Sequence, residues 1–303
     1  MKLLRTPTIT LATLVLGLFL LTLSACQKET SDANAEAQEE EASRAASEGD
    51  GEAESIFNGI FDDAMGVDNE VGVGGSGVFY GRTDSMTNVP RCFTVTVTRP
   101  TANPFPVRVV VDFGTTGCPG PDGHIRKGKI ITEYTNRLIV PGAVATTTFD
   151  GFFVDSISVE GTHKITNTSE PPAVLRRFRT EVINGKITKP NGSFVEWNST
   201  KVVVQIEGIL TPDMPRDDVF KIEGSSSGRV RRGNIIVLWN ATVTEPLFRR
   251  FTCRHIVKGK IRTVRGNLTT QSRWVAVLDF GNGQCDNQAT LTVNGVSRQI
   301  TLP

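Results

Sequence analysis

The 303-residue sequence predicts an all-β protein: an antiparallel, hairpin-rich curved sheet or barrel-like meander with one short N-terminal helix. Three observations carry this. Runs of alternating apolar and polar residues recur from residue 72 to the end, the pattern of half-buried strands. Turn signals separate the runs: Asp122-Gly123, Pro190-Asn191-Gly192, Arg232-Gly233-Asn234, Arg265-Gly266-Asn267 and Asn294-Gly295. The last sits between Leu291-Thr292-Val293 and Val296-Ser297-Arg298, a two-residue hairpin signal. Finally, glycine stands inside many of the runs. Gly-Lys-Ile recurs at Gly128, Gly185 and Gly259, and Val/Ile-Glu-Gly recurs ending at Gly161, Gly208 and Gly224. Glycine within strands marks bends or close backbone approach, which favours a curved sheet over a flat sandwich.

Taken in chain order, residues 1–25 have the parts of a secretory signal. Lys2 and Arg5 supply charge, Ile9 to Leu23 is nearly unbroken apolar sequence, and small residues precede Cys26. The apolar stretch falls short of the roughly 20 residues a spanning helix needs. The run Leu23-Ser24-Ala25-Cys26 resembles the lipobox of bacterial lipoproteins. That resemblance implies cleavage before Cys26, a diacylglycerol on its sulfur and usually an N-acyl chain. More than one acyl chain is what stable anchoring requires. The following Gln27-Lys28-Glu29-Thr30-Ser31-Asp32 is similar to the surface-export signal of Bacteroidetes-type lipoproteins, with Thr30 where a second acid is expected. Position 27 is not the Asp that retains many lipoproteins in the inner membrane. The expected location is the outer membrane, lipid-anchored and displayed outward, or else facing the periplasm.

Residues 26–54 read as an acidic, disordered tether. From 27 to 54 there are ten Asp or Glu against Lys28 and Arg44, with no aromatic residue. Taken alone, such a segment buries too little apolar surface to offset its ordering entropy. Residues 55–71 read as a short amphipathic helix and linker. Ile56, Phe57, Ile60, Phe61, Ala64 and Met65 share a face, with Ser55 as cap and Gly66 as stop. The remainder, 72–303, reads as one all-β domain. The charge is divided: about −8 on the tether and +7 on residues 56–303, hidden in a net charge of +1. An exported address and the lack of interleaved aromatics for base stacking argue against a nucleic-acid partner.

Four cysteines remain besides Cys26, and an even count in an exported chain favours disulfides. Three pairings are possible, and an internal repeat selects one. Val107 to Gly114, then Cys118, matches Trp274 to Gly281, then Cys285, with a shared Asp-Phe-Gly at an offset of 167. Cys92 and Cys253 precede the two copies, so the expected bridges are Cys92–Cys118 and Cys253–Cys285. Asp112 and Asp279 are expected to accept N–H bonds in the turns that follow them. Nothing else of a protein kinase accompanies Asp-Phe-Gly.

No catalytic constellation emerges. Gly72-Val73-Gly74-Gly75-Ser76-Gly77 spells a dinucleotide fingerprint, but a helix precedes it and a strand follows, the reverse of what that site needs. His124, His163 and His255 have no ligand spacing, and no GxSxG nucleophile turn is present. Asp279, Asn282, Asp286 and Asn287 crowd oxygen ligands around one loop, but the first repeat copy does not match them. No cofactor or metal is expected. Arg176, Arg177 and Arg179 form one basic cluster, Arg229, Arg231 and Arg232 a second, and Arg249, Arg250 and Arg254 a third. Convergence of these with Trp197 and Trp239, from the echoed Trp-Asn-Ser-Thr and Trp-Asn-Ala-Thr, would make an anion- or glycan-binding face.

With its paired Asp-Phe-Gly/Cys segments, the body resembles uncharacterised Bacteroidetes-type lipoproteins, a resemblance that brings no assigned activity. The expected function is a non-enzymatic envelope binding module, with glycan or lipopolysaccharide favoured as ligand. The alternative is a structural or assembly factor for an outer-membrane partner. A hydrolase is disfavoured.

Overall fold

The computed structural model describes residues 34–61, 63–64, 92–120, 123–170, 175–211, 217–253 and 255–303. The lipobox with Cys26, the sorting residues, Gly72 to Gly77 and Arg254 lie outside them. The chain divides into two compact units, Met1–Glu41 and Ala42–Pro303. In the first, residues 34–41 are helical. The second contains helix α1, helical over 42–61 and at 63–64, and a single sheet.

The strands are β1 (Thr94–Thr98), β2 (Val107–Asp112), β3 (Cys118–Pro119), β4 (Ile125–Tyr134), β5 (Val144–Val154), β6 (Ile157–Asn167), β7 (Arg177–Thr188), β8 (Phe194–Glu207), β9 (Val219–Arg232), β10 (Ile235–Arg250), β11 (Ile256–Arg265), β12 (Ala276–Asn282), β13 (Gln288–Val293) and β14 (Val296–Thr301). They pair in sequence order as an antiparallel meander, with the two-residue β3 joined to β4 alone. Among the described residues β1 and β14 do not pair, so the sheet is open rather than a closed barrel.

The glycine repeats explain its curvature. Register shifts fall at Lys127/Lys129, Glu160/Thr162, Val182/Gly185, Thr242/Leu247 and Lys258/Lys260, a line of bulges crossing β4 to β12. Each bulge bends its strand and increases twist. Gly161 shows why these sites exclude other residues: its φ is 113°, and a Cβ there would lie 2.6 Å from the Asn184 carbonyl oxygen.

The concave face holds α1. Val195, Trp197 and Val203 of β8 and Phe220, Ile222 and Val230 of β9 point inward and are buried, while Glu196, Lys221, Glu223 and Arg231 point outward. The expected stripe of Ile56, Phe57, Ile60, Phe61 and Ala64 is buried against this face. Phe57 stacks on Trp197 with ring centres 5.4 Å apart, and Phe61 meets Phe178 and Phe220 edge-on. At Gly51 the helix approaches the sheet so closely that a Cβ would stand 2.7 Å from Leu278.

The helix corrects the expected disordered tether. Residues 34–54 are helical, and Ser43, Ala45, Ala46, Ser47, Asp50, Ala53 and Glu54 are buried. Ser55 lies inside the helix rather than capping its start, and its hydroxyl donates to the Pro303 carbonyl at 3.0 Å. The physical reason is that the acids do not have to stay in water. They meet cations and N–H donors supplied by strands more than a hundred positions later.

Both expected disulfides are present. Cys92–Cys118 and Cys253–Cys285 have Cα separations of 5.5 and 5.7 Å. The two repeat copies also match in detail. Asp112 accepts from the Gly114 N–H and Asp279 from the Gly281 N–H, each at 2.9 Å. Across the ladder, Asp112 pairs with Lys129 and Asp279 with Lys260, each at 3.6 Å. The order is mirrored: in the first copy the Asp strand precedes its Gly-Lys-Ile strand, and in the second it follows.

Candidate functional site

Strands β8, β9 and β10 lie side by side, and the echoed tetrapeptides stand level with one another. Trp197 is opposite Gly228, which is opposite Trp239. One step on, Asn198, Ser227 and Asn240 align, then Ser199, Ser226 and Ala241, then Thr200, Ser225 and Thr242. Because side chains alternate faces along a strand, the motif divides. Its Trp and Ser/Ala positions face α1, and its Asn and Thr positions face outward. Gly228 makes room for the indoles: a Cβ there would come within 2.6 Å of the Trp239 ring.

Inside, Asp50 of α1 collects the donors. Its Oδ1 accepts from Trp197 Nε1 at 2.8 Å, Ser226 Oγ at 2.7 Å and Trp239 Nε1 at 3.4 Å. Neither indole presents a face to solvent, each being 2 % exposed. Trp197 and Trp239, expected as part of an anion- or glycan-binding face, instead have their indoles buried against α1. One turn along α1, Glu54 pairs with Lys201 at 3.0 Å, both almost wholly buried. Toward the hairpin tips, Arg232 binds Glu48 and Glu52, and Lys189 binds Glu52 at 2.6 Å. Near the other end of α1, Arg126 faces Asp63 at 3.6 Å.

Two further buried bases complete this interior. Arg249 donates to the Asn58 carbonyl at 2.9 Å and lies over the rings of Phe61 and Phe220; burial lowers its pKa to about 10. His163 sits beside Phe57, and burial, reinforced by the Arg249 charge, lowers its pKa to about 4. Glu54, His163 and Lys201 line a void of about 10 Å³, room for one water molecule.

The first two arginine clusters do not converge. Arg177 stands opposite Val204 and Arg229 opposite Glu196, so the first two clusters are separated by the length of β8 between those partners, roughly 26 Å. Most of these side chains are occupied within the fold. Arg229 makes a bidentate pair with Glu196 at 2.7 and 3.0 Å, Arg179 pairs with Glu181 at 2.8 Å, and Arg176 donates to Gln205 at 3.3 Å. Arg232 and Arg249 hold the helix, whereas Arg177, Arg231 and Arg250 are exposed.

Outside, the same strands form a trough of about 400 Å³ crossing β7 to β10. Two rows of short polar side chains line it, Asn198–Ser227–Asn240 and Thr200–Ser225–Thr242, with Glu181 and Ile183 at one side. Asn198 is held in place by the N–H of Asn184, a left-handed residue in the β7 bulge, at 2.8 Å. The rows offer amide and hydroxyl donors and acceptors at the strand spacing of about 4.8 Å.

Other expected candidates serve local structure. Besides the Asp279 turn, Asp286 accepts from the Gln288 N–H, and no group of three or more His, Cys, Asp or Glu among the described residues is placed to hold a metal. His124 Nδ1 lies 2.9 Å from Asp155. One perturbed group escaped the sequence reading. Burial, and then the neighbouring Asp217 charge, raise the Asp218 pKa to about 7, and Gln205 donates to its carboxylate at 2.7 Å. The adjacent-acid dipeptide was its only sequence signal, since Gln205 and Arg176 approach it only through strand pairing.

Comparisons with protein-family models, with curated proteins and with solved structures found no match to this chain.

Proposed function

We propose that the chain is a lipid-anchored, non-enzymatic binding module of a bacterial outer membrane, and that its outward trough takes a neutral glycan. The lipobox ending at Cys26 supports the anchor. The trough carries the ligand class: six short side chains that donate and accept hydrogen bonds, in two rows across three strands. The strand spacing of about 4.8 Å is close to the length of one sugar ring in an extended chain, so successive rings could address successive strands. A phosphorylated glycan such as lipopolysaccharide is less well served. The guanidinium groups of Arg179, Arg229 and Arg232 are paired with carboxylates, and the trough itself holds no cation.

Glycan-array binding followed by calorimetry tests this. Asn240→Ala with Thr242→Ala should weaken binding about tenfold or more, the loss of one to two hydrogen bonds, without altering the melting temperature. Arg229→Ala should leave binding unchanged. Binding that survives the double substitution, or an array without a hit, defeats the reading. The anchor is tested separately by intact mass of native protein, which should show the acyl glyceride on Cys26.

The assembly-factor reading has one observation of its own. Strand β1, Thr-Val-Thr-Val-Thr, is exposed except at the half-buried Val95, has no neighbour on one side among the described residues, and carries neither charge nor proline to discourage pairing. Co-purification of an outer-membrane protein that is lost on Val97→Lys would support it over the glycan module.

A further inference from the structure

We infer that the end of the sheet where α1 enters rests on an anionic lipid surface. The inference takes the anchor reading as its starting point. The β9–β10 hairpin turns Val230, Arg232, Val237 and Trp239 inward and leaves Arg229, Arg231, Ile236 and Leu238 facing out. Ile236 is 61 % exposed and Leu238 63 %, two large aliphatic side chains on one face, which Phe194 shares in register beside Arg231. In register they stand beside Arg231 and Arg229. The β11–β12 connection reaches the same end, because Arg265 closes β11 opposite Trp239. It carries the half-buried Trp274 with the Arg273 guanidinium 4.6 Å from the ring centre. Aliphatic tips, an indole and guanidinium groups on apolar stems are the side chains that partition to a headgroup layer.

Position and charge select a lipid surface over other occupants. Glu48 and Glu52 of α1 meet Arg232 and Lys189 at these hairpin tips, so the helix starts its passage through the sheet here. The chain upstream of Ala42 reaches Cys26 within about sixteen residues, which even fully extended span no more than about 55 Å. An acylated Cys26 would therefore be joined to the body through this end, the one from which the chain runs upstream to the lipid. From Ala42 on, the acids of α1 and β8 at this end, Glu48, Glu52 and Glu196, are paired with Arg232, Lys189 and Arg229. Arg231 is exposed and stands outside these pairs.

The test uses the mature chain from position 26 carrying Cys26→Ser, so that neither the apolar leader nor an acyl group contributes. Co-sedimentation is measured with vesicles of phosphatidylcholine alone and of phosphatidylcholine mixed with phosphatidylglycerol. Binding is expected to the mixed vesicles and to fall as salt rises. Ile236→Ser with Leu238→Ser should reduce it about tenfold, and Arg231→Gln several-fold, with an unchanged melting temperature. Equal binding by these variants, or no binding to the mixed vesicles, overturns the docking surface. An unmodified Cys26 in native protein overturns the anchor instead, and the vesicle result does not depend on it.

Discussion

The two faces of β8 to β10 are built from one repeated motif and use it in opposite ways. Trp197 and Trp239 converge inward on a single carboxylate that has left water, whereas Asn198, Thr200, Asn240 and Thr242 remain in solvent with short, separate side chains. Inside, each polar group depends on a named partner, so its removal strands a buried charge or donor. Outside, hydration replaces any lost contact. The same sequence signal therefore specifies a stability site and a candidate recognition site, distinguished only by residue parity along the strand.

This contrast predicts a graded set of effects. The largest is at the Glu54–Lys201 pair. Lys201→Met leaves Glu54 buried without its cation and should cost about 3–5 kcal/mol in chemical denaturation. Adding Glu54→Gln should recover most of that; a double variant as weak as the single one would show that the pair is not an energetic unit. Next is the acid limb. His163 has a folded pKa of about 4 against an unfolded value of 6.5, so below pH 6.5 the unfolded chain binds a proton that the native state refuses. Stability present above that pH is lost as pH falls toward 4, by roughly 3 kcal/mol. His163→Phe should flatten this slope, and an unchanged slope would place the acid sensitivity elsewhere.

Asp218 has the opposite sign. Its folded pKa of about 7 lies above the usual 3.8, so stability declines as pH rises through that window while the unfolded chain releases its proton. Asp218→Asn should therefore stabilise at neutral pH, by about 1 kcal/mol once solvent screening is allowed for, with the Gln205 hydrogen bond kept. The smallest effect is expected outside. Asn240→Ala with Thr242→Ala should leave the denaturation midpoint where it was, so a loss comparable to that of Lys201→Met would erase the distinction between the faces.

How much of this was legible varied with sequence distance. The hairpin meander follows from local alternation and turn residues, and the disulfides and Asp turns from a repeat visible in one line. The helical course of residues 34–54 was not legible, because composition describes a segment by itself. Glu48, Asp50, Glu52 and Glu54 are compatible with folding only through Arg232, Trp197, Lys189 and Lys201, and nothing near them in sequence announces those partners. The opposed charges of tether and body are the available signal, but net charge alone does not say which acid meets which base. The arginine clusters failed for a related reason: three runs of basic residues look alike in a sequence, yet Arg249 is buried under two phenyl rings while Arg231 stands in water. Trp197 and Trp239 were noticed as an echo, but only the ladder shows that Gly228 lies between them.

The hydroxyl of Ser55 meets the carbonyl of Pro303, and Leu302 lies against Gly51, contacts that join positions 248 apart in the first case. Closure on that scale requires a large search of chain conformations before any contact rewards it, which slows folding. Until the distal strands arrive, Phe57, Ile60 and Phe61 have no wall to lean on, so a growing chain carries an uncovered greasy helix for most of its elongation. A holdase that recognises short apolar helices would find its client there first, and its demand should fall once β7 to β9 cover Phe57 and Phe61.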